Sequence, residues 1–218
     1  MGLLREFCAE NMERVPAAVE AGAGRIELCD NLAVGGTSPS AGVVRAACAF
    51  CREHGVDVMV MVRPRGGDFA YSAAELAMMR DDIEVALSAG ATGVVFGCER
   101  EGHLDTPATQ VLLARVREVR PDAQVTFHMA FDKICAAEQP AVIDWLAEHG
   151  VTRILTHGGG EGTRIADNVG RLRAYVARAA GRIGILPGAG ITWENAEDIA
   201  RAVGVSEVHG TRIVRLSR

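Results

Sequence analysis

The stretch Gly22-Ala-Gly-Arg-Ile-Glu-Leu-Cys29 decides the fold, because it is one copy of a pattern that recurs along the chain. An alanine-rich helical segment ends at a glycine, and a short run rich in β-branched residues follows it. Glycine takes the left-handed conformation that ends a helix, and the run after it pairs as a buried strand. The same punctuation, by glycine or proline, recurs at six later positions: Gly55, Gly90, Pro121, Gly150, Gly181 and Gly204.

This punctuation predicts seven strands, and an opening strand over Leu3–Cys8 makes eight. The seven ranges are 25–29, 56–62, 93–96, 124–128, 151–156, 182–186 and 207–209. Strands that alternate with helices in units of about 30 residues form a parallel sheet. We therefore predict an α/β fold in which residues 1–218 form a single (β/α)8 TIM-type barrel with eight parallel strands. An open doubly wound sheet is the alternative, which we disfavour because no strand carries a G-x-G-x-x-G fingerprint.

The first and last helices depart from this regular pattern. Pro16 lies in the first helical stretch and removes a helix donor, which predicts an irregular start. The segment after the last strand, Arg212–Arg218, is too short for a full helix. We expect a short or missing eighth helix, and a second copy of the chain that covers this edge in a homo-oligomer.

Composition and charge limit the kinds of partner. The net charge of −5 argues against nucleic acid and anionic membrane as main partners. No apolar run approaches the roughly 20 residues that a membrane span needs, and the start lacks a signal-peptide pattern, so we expect a cytoplasmic protein. The cysteines are then expected to be reduced thiols. Cys48 and Cys51 form a C-x-x-C within an outer helix, where packing is the expected role.

Polar residues gather at the predicted strand ends. Residues two apart on a strand share a face, so Glu6 lies with Cys8 and Glu27 lies with Cys29. Further polar residues follow the third, fifth, sixth and eighth strands: Arg63, Arg65, Asp68, His128, His157 and His209. In a (β/α)8 barrel these ends meet at one face, the carboxyl-terminal mouth, where active sites are built. We therefore predict one polar site there.

Each of these residues also has a purely structural explanation. A buried cysteine commonly acts as a small hydrophobic residue, and a histidine at a strand end often only bonds to the backbone. Glu6 or Glu27 paired with Arg63 or Arg65 would need no ligand. The convergence of so many polar groups from separate strands favours the functional interpretation.

Two glycine-rich loops offer a place for an anion. Gly188 and Gly190 follow the seventh strand, and Thr192 is placed to cap a helix that begins at Trp193. Free backbone N–H groups in such a loop bind phosphate, and this part of the barrel is its usual site. The loop over residues 158–160 has a similar composition. Tight turns without a ligand are the alternative explanation.

The run Arg63-Pro-Arg-Gly-Gly-Asp-Phe-Ala-Tyr-Ser72 resembles the signature of the CutC family, which is named for copper homeostasis. The resemblance extends from the first strand to the last, and one departure is Met129, where the family commonly has arginine. The resemblance implies a (β/α)8 barrel and cytosolic copper handling. It also implies that Cu(I) binds the residues that match two family cysteines, Cys8 and Cys29. Four other blocks match the family: 25–29, 35–40, 125–132 and 153–156.

The first functional hypothesis is a copper-handling protein. Neighbouring strands lie about 4.8 Å apart, so two thiols at one level could hold one soft ion, and thiolates favour Cu(I). Met61 and His128 are candidate additional donors. Glu6 and Glu27 would adjust the charge near the thiolates.

The second hypothesis is an enzyme that acts on a small anionic or phosphorylated metabolite. Arg63 and Arg65 would clamp the anion, and Glu6 or Glu27 would exchange protons with His128. The other candidate ligand-binding residues are Asp68, His157, Gly188, Gly190 and His209. A Schiff-base mechanism needs a lysine at the mouth, and the only lysine, Lys133, lies past the end of the fifth strand and is a poor candidate for that role. A catalytically inactive scaffold is a third possibility.

Overall fold

Eight parallel strands form the centre of the molecule, whose computed structural model describes residues 2–160 and 162–216. The strands are β1 (Leu4–Glu10), β2 (Arg25–Cys29), β3 (Asp57–Met61), β4 (Gly93–Phe96), β5 (Gln124–Phe127), β6 (Arg153–Thr156), β7 (Gly184–Pro187) and β8 (Glu207–Gly210). They pair in the order β8–β1–β2–β3–β4–β5–β6–β7. Because β7 also lies against β8, the sheet is a nearly closed barrel. The predicted (β/α)8 fold is confirmed.

Seven helices surround the strands in the described part of the chain. They are α1 (Val15–Glu20), α2 (Ala41–Glu53), α3 (Ala73–Ser88), α4 (Thr106–Val119), α5 (Gln139–Glu148), α6 (Val169–Ala179) and α7 (Ala196–Val203). Through residue 216, no helix follows β8, as predicted. The homo-oligomer inferred from that edge stays a prediction.

Local capping chemistry explains where the helices begin. Ser72 and Glu75 form a capping box at the start of α3. Pro16 lies in the first turn of α1, where its missing N–H has no helical partner, so the expected conflict does not arise. The predicted start of the last helix at Trp193 is wrong. The helix begins at Ala196, because residues 192–195 form a turn. In this turn the Thr192 N–H donates to Oδ1 of Asn195, and the Glu194 N–H donates to the Thr192 hydroxyl.

The strands alternate between two environments. Phe7 and Val60 face outward into the main core under the helices. Cys8, Met59 and Met61 face inward and pack together inside the barrel. The alternation follows from strand geometry, and it sends sulfur-bearing side chains from neighbouring strands to one place.

The cysteines outside the barrel interior and the lengths of the helices can be compared with the expectations from composition. Cys48 and Cys51 lie on the buried face of α2 and pack in the main core, as predicted. All six cysteines are free thiols. Within residues 2–160 and 162–216, no helix is both long enough and apolar enough to cross a membrane.

Candidate functional site

The register of three strands assembles a compact polar group at the barrel mouth. In the pairing of β1 with β2, Cys8 lies opposite Glu27, and Cys29 lies opposite Glu10. The two thiols are therefore not at one level, contrary to the sequence-based picture. They meet instead around one carboxyl group, because Oε2 of Glu27 lies 3.2 Å from Sγ of Cys8 and 3.6 Å from Sγ of Cys29.

His209 on β8 completes this group, which we call the thiol site: Cys8, Cys29, Glu27 and His209. Its Nδ1 atom lies 2.8 Å from Oε1 of Glu6, and its Nε2 atom lies 3.7 Å from Oε2 of Glu27. One potential ligand atom each from Cys8, Glu27 and His209 lies within 4.8 Å of the other two, and all three residues are buried. Glu6 thus orients the imidazole while the opposite ring nitrogen faces the thiol site.

A layer of buried ion pairs supports the thiol site. Arg25 donates hydrogen bonds to Glu6 and, at 2.7 Å, to Glu207. Nε of Arg153 lies 3.5 Å from the same Glu207 oxygen. The suggested pairing of Glu6 with Arg63 or Arg65 is wrong, because Arg25 takes that place. The signal for Arg25 was in the sequence, since it lies two residues before Glu27 and shares its face.

The carboxyl and imidazole groups have strongly altered proton affinities. Burial alone would raise the pKa of Glu6, but the hydrogen bond from His209 and the charge of Arg25 lower it to about 2. Burial raises the pKa of Glu27 well above its usual range. Burial would lower the pKa of His209, but the Glu27 carboxyl and hydrogen bonds with Cys8 and Glu6 raise it well above the ordinary value. The pKa values of the two carboxyl groups are thus shifted in opposite directions.

The pKa values of the two thiols are also shifted in opposite directions. The hydrogen bond between them lowers the pKa of Cys8 well below its usual range, against the effect of burial and with help from His209. The same bond, together with burial, raises the pKa of Cys29. Cys29 and His209 thus favour the thiolate form of Cys8, which is the form that binds soft metal ions.

Sulfur lines the wall next to the thiol site. Met59 and Met61 on β3 pack against Cys8 and Cys29. Met61 was a predicted donor, whereas Met59 was missed although it shares the same face of its strand. Oε1 of Glu27 is buried and has no hydrogen-bond partner among the described residues. Polarisable sulfur atoms and one unsatisfied oxygen thus lie together in the barrel interior.

Arg63 forms hydrogen bonds with the loops around it. Its guanidinium donates to the carbonyl oxygens of Val34 and Gly36, both at 3.0 Å, and of Gly67 at 2.7 Å. Its Cζ atom lies 4.8 Å from the centre of the Phe69 ring. The side chain thus ties together the loops that follow β2 and β3.

Arg65, in contrast, forms ion pairs with two acidic side chains. Its guanidinium bonds to Asp68 at 2.9 Å and to Glu75 at the start of α3. The Asp68 carboxylate accepts this hydrogen bond, so it is paired with Arg65 and not with a ligand. The predicted Arg63–Arg65 anion clamp is therefore not formed in this structure, because backbone carbonyls and acidic side chains occupy both guanidinium groups.

His128 lies apart from the thiol site. Its Nδ1 atom accepts a hydrogen bond from the Ala130 N–H at 3.2 Å, and its ring packs 4.8 Å from that of Phe69. Burial, aided by the charge of Arg63, lowers the pKa of His128 to about 3. The predicted copper donor is thus a neutral buried imidazole that is not part of the converging donor set.

A separate cavity of about 740 Å³ opens at the same mouth, between Phe69 and the loops after β5, β6 and β7. His157 bridges two of these loops, with Nε2 2.9 Å from the Thr163 carbonyl oxygen and Nδ1 3.2 Å from that of Ala189. Gly190 lines the cavity, as does Lys133. Lys133 lies past the end of β5 as expected, and the turn over Met129–Lys133 brings it to the cavity wall.

Gly188 has a different role from the one predicted. A Cβ atom at this position would lie 2.5 Å from a methyl group of Leu155, so the residue permits close packing beneath the loop. The cavity wall begins with the next residue, Ala189.

Comparison with known proteins identifies the chain's relatives. The CutC family matches residues 3–214. The chain belongs to the CutC family. A CutC protein from Enterococcus faecalis is 50% identical over 213 residues, which cover 97% of this chain and all of that protein. The human copper homeostasis protein cutC homolog is 38% identical and is matched over 72% of its length, covering 95% of this chain.

Solved structures agree with this assignment. A crystal structure described as a copper homeostasis protein CutC from Streptococcus agalactiae has a TM-score of 0.92 at 43% identity, and the match covers 97% of this chain and all of that one. A deoxyribose phosphate aldolase from Aeropyrum pernix has a TM-score of 0.70 at 12% identity, over 98% of this chain and 86% of that one. The second likeness shows the shared barrel fold alone.

Proposed function

We propose that the chain handles copper by binding Cu(I) at the thiol site, with Cys8 and Cys29 as sulfur donors and His209 as a nitrogen donor. The observation that carries the proposal is the convergence of two buried thiols and one imidazole around Glu27. Cu(I) prefers thiolate and imidazole ligands over oxygen ligands. His209 was predicted as a ligand-binding residue, and its position beside the thiols makes it the third donor.

The surroundings fit such an ion. Glu6 holds His209 by Nδ1, which leaves Nε2 for the metal, as carboxylates commonly do for metal-binding histidines. Met59 and Met61 surround the thiols with polarisable, water-excluding groups. Arg25 balances the charge of Glu6, so the carboxylate that holds His209 is itself compensated.

The relatives' names and the thiols support the same proposal. The human and mouse relatives are named for copper homeostasis. Free thiols persist in a reducing compartment, so we place the protein in the cytoplasm.

A competition titration tests copper binding. Under anaerobic conditions, the protein competes with a chromophoric Cu(I) chelator, and we expect one Cu(I) per chain. Cys8→Ala/Cys29→Ala should lose this binding. The matched variant Cys48→Ala/Cys51→Ala removes two other buried thiols and should keep it. Equal copper binding by the two double variants would overturn the proposal.

The enzymatic alternative is supported less well. The two arginines of its anion clamp, Arg63 and Arg65, already bind backbone carbonyls and acidic side chains. In the part of the chain that the structure describes, no hydrogen bond or ion pair joins Glu27 to His128, the suggested acid–base pair. Copper binding uses the groups that do converge, and it is the function that the geometry favours.

A further inference from the structure

We infer that the loop over residues 31–36 is a movable lid on the thiol site, and that Arg63 is the latch that holds this lid closed. The inference rests on the proposed function, because it names the step by which Cu(I) reaches its thiols. Cys29 is fully buried, and Cys8 and His209 are nearly so. An ion that binds all three residues must therefore pass a part of the protein that moves aside.

The lid lies directly on the thiol site. A Cβ atom on Gly36 would stand 3.3 Å from Sγ of Cys29, so the backbone of the lid passes close to this thiol. Leu32 packs against the sulfur-rich cluster that contains Cys8 and Cys29. Displacement of the lid would therefore uncover Cys29 at the end of β2.

The shape of the loop allows it to move as one body. At its base, Asp30 and Thr37 exchange two backbone hydrogen bonds, of 2.9 and 2.7 Å, which keep the two ends together. Gly35 and Gly36 have φ values of +88° and +87°, so they can absorb a change in the direction of the backbone. Residues 33–35 are exposed, which leaves few apolar contacts to break. Compact loops with adjacent ends are frequently functional, and loop closure gates access to many active sites.

Arg63 holds the lid through its side chain. Its guanidinium donates hydrogen bonds to the carbonyl oxygens of Val34 and Gly36 within the lid, and to that of Gly67 in the loop after β3. Hydrogen bonds from a charged donor are stronger than those between neutral groups. Because Arg63 follows β3 closely, these bonds tie the lid to the barrel. Arg63 is thus a positioning residue that controls access to the thiol site without supplying a ligand.

A second contact ties the lid to β1. The Leu32 N–H donates to Oε2 of Glu10 at 2.9 Å, and Glu10 is exposed. Because this contact lies at the surface, its removal should loosen the lid without threatening the fold.

Alkylation of the metal-free, reduced protein tests the lid. Iodoacetamide reacts with each cysteine at a rate that peptide mass spectrometry measures. Cys51 is the internal reference, because it is as buried as Cys29 but lies in the main core. Opening of the lid exposes Cys29 and not Cys51, whereas a loss of global stability exposes both. The ratio of the Cys29 rate to the Cys51 rate therefore separates a latch from a purely structural role.

Two variants loosen the lid. Arg63→Met removes the donors and keeps an apolar stem. We expect it to raise the labelling ratio about tenfold or more, because two charge-assisted hydrogen bonds to the lid are lost. Glu10→Ala should raise the ratio by a smaller factor, and it carries the test if Arg63→Met does not fold.

Two matched variants serve as controls. Arg65→Met removes a neighbouring arginine whose ion pairs, with Asp68 and Glu75, lie outside the lid. Glu13→Ala removes an exposed carboxylate in the turn between β1 and α1. Neither variant should change the labelling ratio.

The kinetics of copper transfer connect the lid with the proposed function. Stopped-flow measurement of Cu(I) transfer from the chelator should show faster uptake in Arg63→Met and in Glu10→Ala than in the wild type. The affinity at equilibrium should stay the same, because the lid supplies no ligand and its opening speeds entry and release alike.

An unchanged labelling ratio in folded Arg63→Met would overturn the inference; if that variant does not fold, an unchanged ratio in Glu10→Ala would do so. An equal rise in the controls would also contradict it. A raised ratio with an unchanged rate of copper transfer would show that the lid does not limit entry, which overturns its gating role. If the wild type binds no Cu(I), the proposed function fails, and the labelling ratios still decide whether the lid opens.

Discussion

The thiol site and the cavity lie at the same end of one barrel, yet they are built in different ways. The groups of the thiol site stand on β1, β2 and β8, and Cys29 is 0% exposed while Cys8 is 7% exposed. The cavity is bordered by loops and encloses about 740 Å³. Strand register holds side chains closely together and suits a single ion, whereas loops leave room for a molecule. The comparison teaches that strand register and loop paths shape two parts of one barrel mouth in different ways.

The largest expected effect concerns the ion-pair layer that only the thiol site possesses. Arg25→Met leaves Glu6 buried without its cation, and we expect the free energy of unfolding to fall by about 3–5 kcal/mol. Chemical denaturation measures this change. Arg5→Met removes an exposed pair with Glu197 and should cost about 0–1 kcal/mol. Equal losses in the two variants would mean that the layer does not support the thiol site.

Acid should affect the two regions over different ranges of pH. His128 packs on Phe69 at the cavity, and its pKa is about 3 in the folded state against an ordinary value of 6.5. Below pH 6.5 the unfolded chain therefore binds more protons, and stability falls as the pH decreases toward 3. At pH 5 the loss from this group should be about 2 kcal/mol. Glu6, with a pKa lowered from 4.5 to about 2, should lose its contribution only below 4.5.

His128→Asn isolates the first of these effects. The asparagine oxygen can accept the hydrogen bond from the Ala130 N–H but does not titrate. The difference in unfolding free energy between pH 7.5 and pH 5 should therefore shrink by about 2 kcal/mol in the variant. An unchanged difference would show that His128 is not the group responsible.

A pair of histidine variants sharpens the comparison directly. His209→Gln removes the nitrogen donor of the thiol site and should weaken Cu(I) binding by more than about tenfold, because the loss of even an outer partner of a metal ligand costs about that much. His157→Gln loosens the bridge between the cavity loops and should leave Cu(I) binding unchanged. Competition titration against a Cu(I) chelator, applied to both variants, measures the two effects. Equal losses of Cu(I) affinity in the two variants would contradict the assignment of copper to the thiol site.

Much of the fold and part of the thiol site could be predicted from local sequence signals. The glycine punctuation placed β2 at Arg25–Cys29, which are its observed bounds. Alternation along strands put Cys8 and Cys29 on inward faces. The stagger between neighbouring strands is not a local property, because it depends on how the whole barrel closes. For that reason Cys8 lies opposite Glu27 and not beside Cys29.

Long-range closure and loop paths explain the remaining differences. His209 reaches Glu6 only because β8 pairs with β1, a contact between the two ends of the strand series. Arg63 appeared available because its carbonyl partners lie in a different loop, 27 and 29 residues away for two of them. Lys133 follows β5 in sequence, but the path of a short turn decides that it lines the cavity.

X-ray absorption at the copper edge of the Cu(I)-loaded protein tests copper binding at the thiol site most directly. Copper binding to Cys8, Cys29 and His209 predicts a first shell of sulfur with one nitrogen donor. The nitrogen contribution should disappear in His209→Gln, and the sulfur shell should disappear in Cys8→Ala/Cys29→Ala. A first shell of nitrogen and oxygen alone, or a sulfur shell that persists in the double variant, would contradict it.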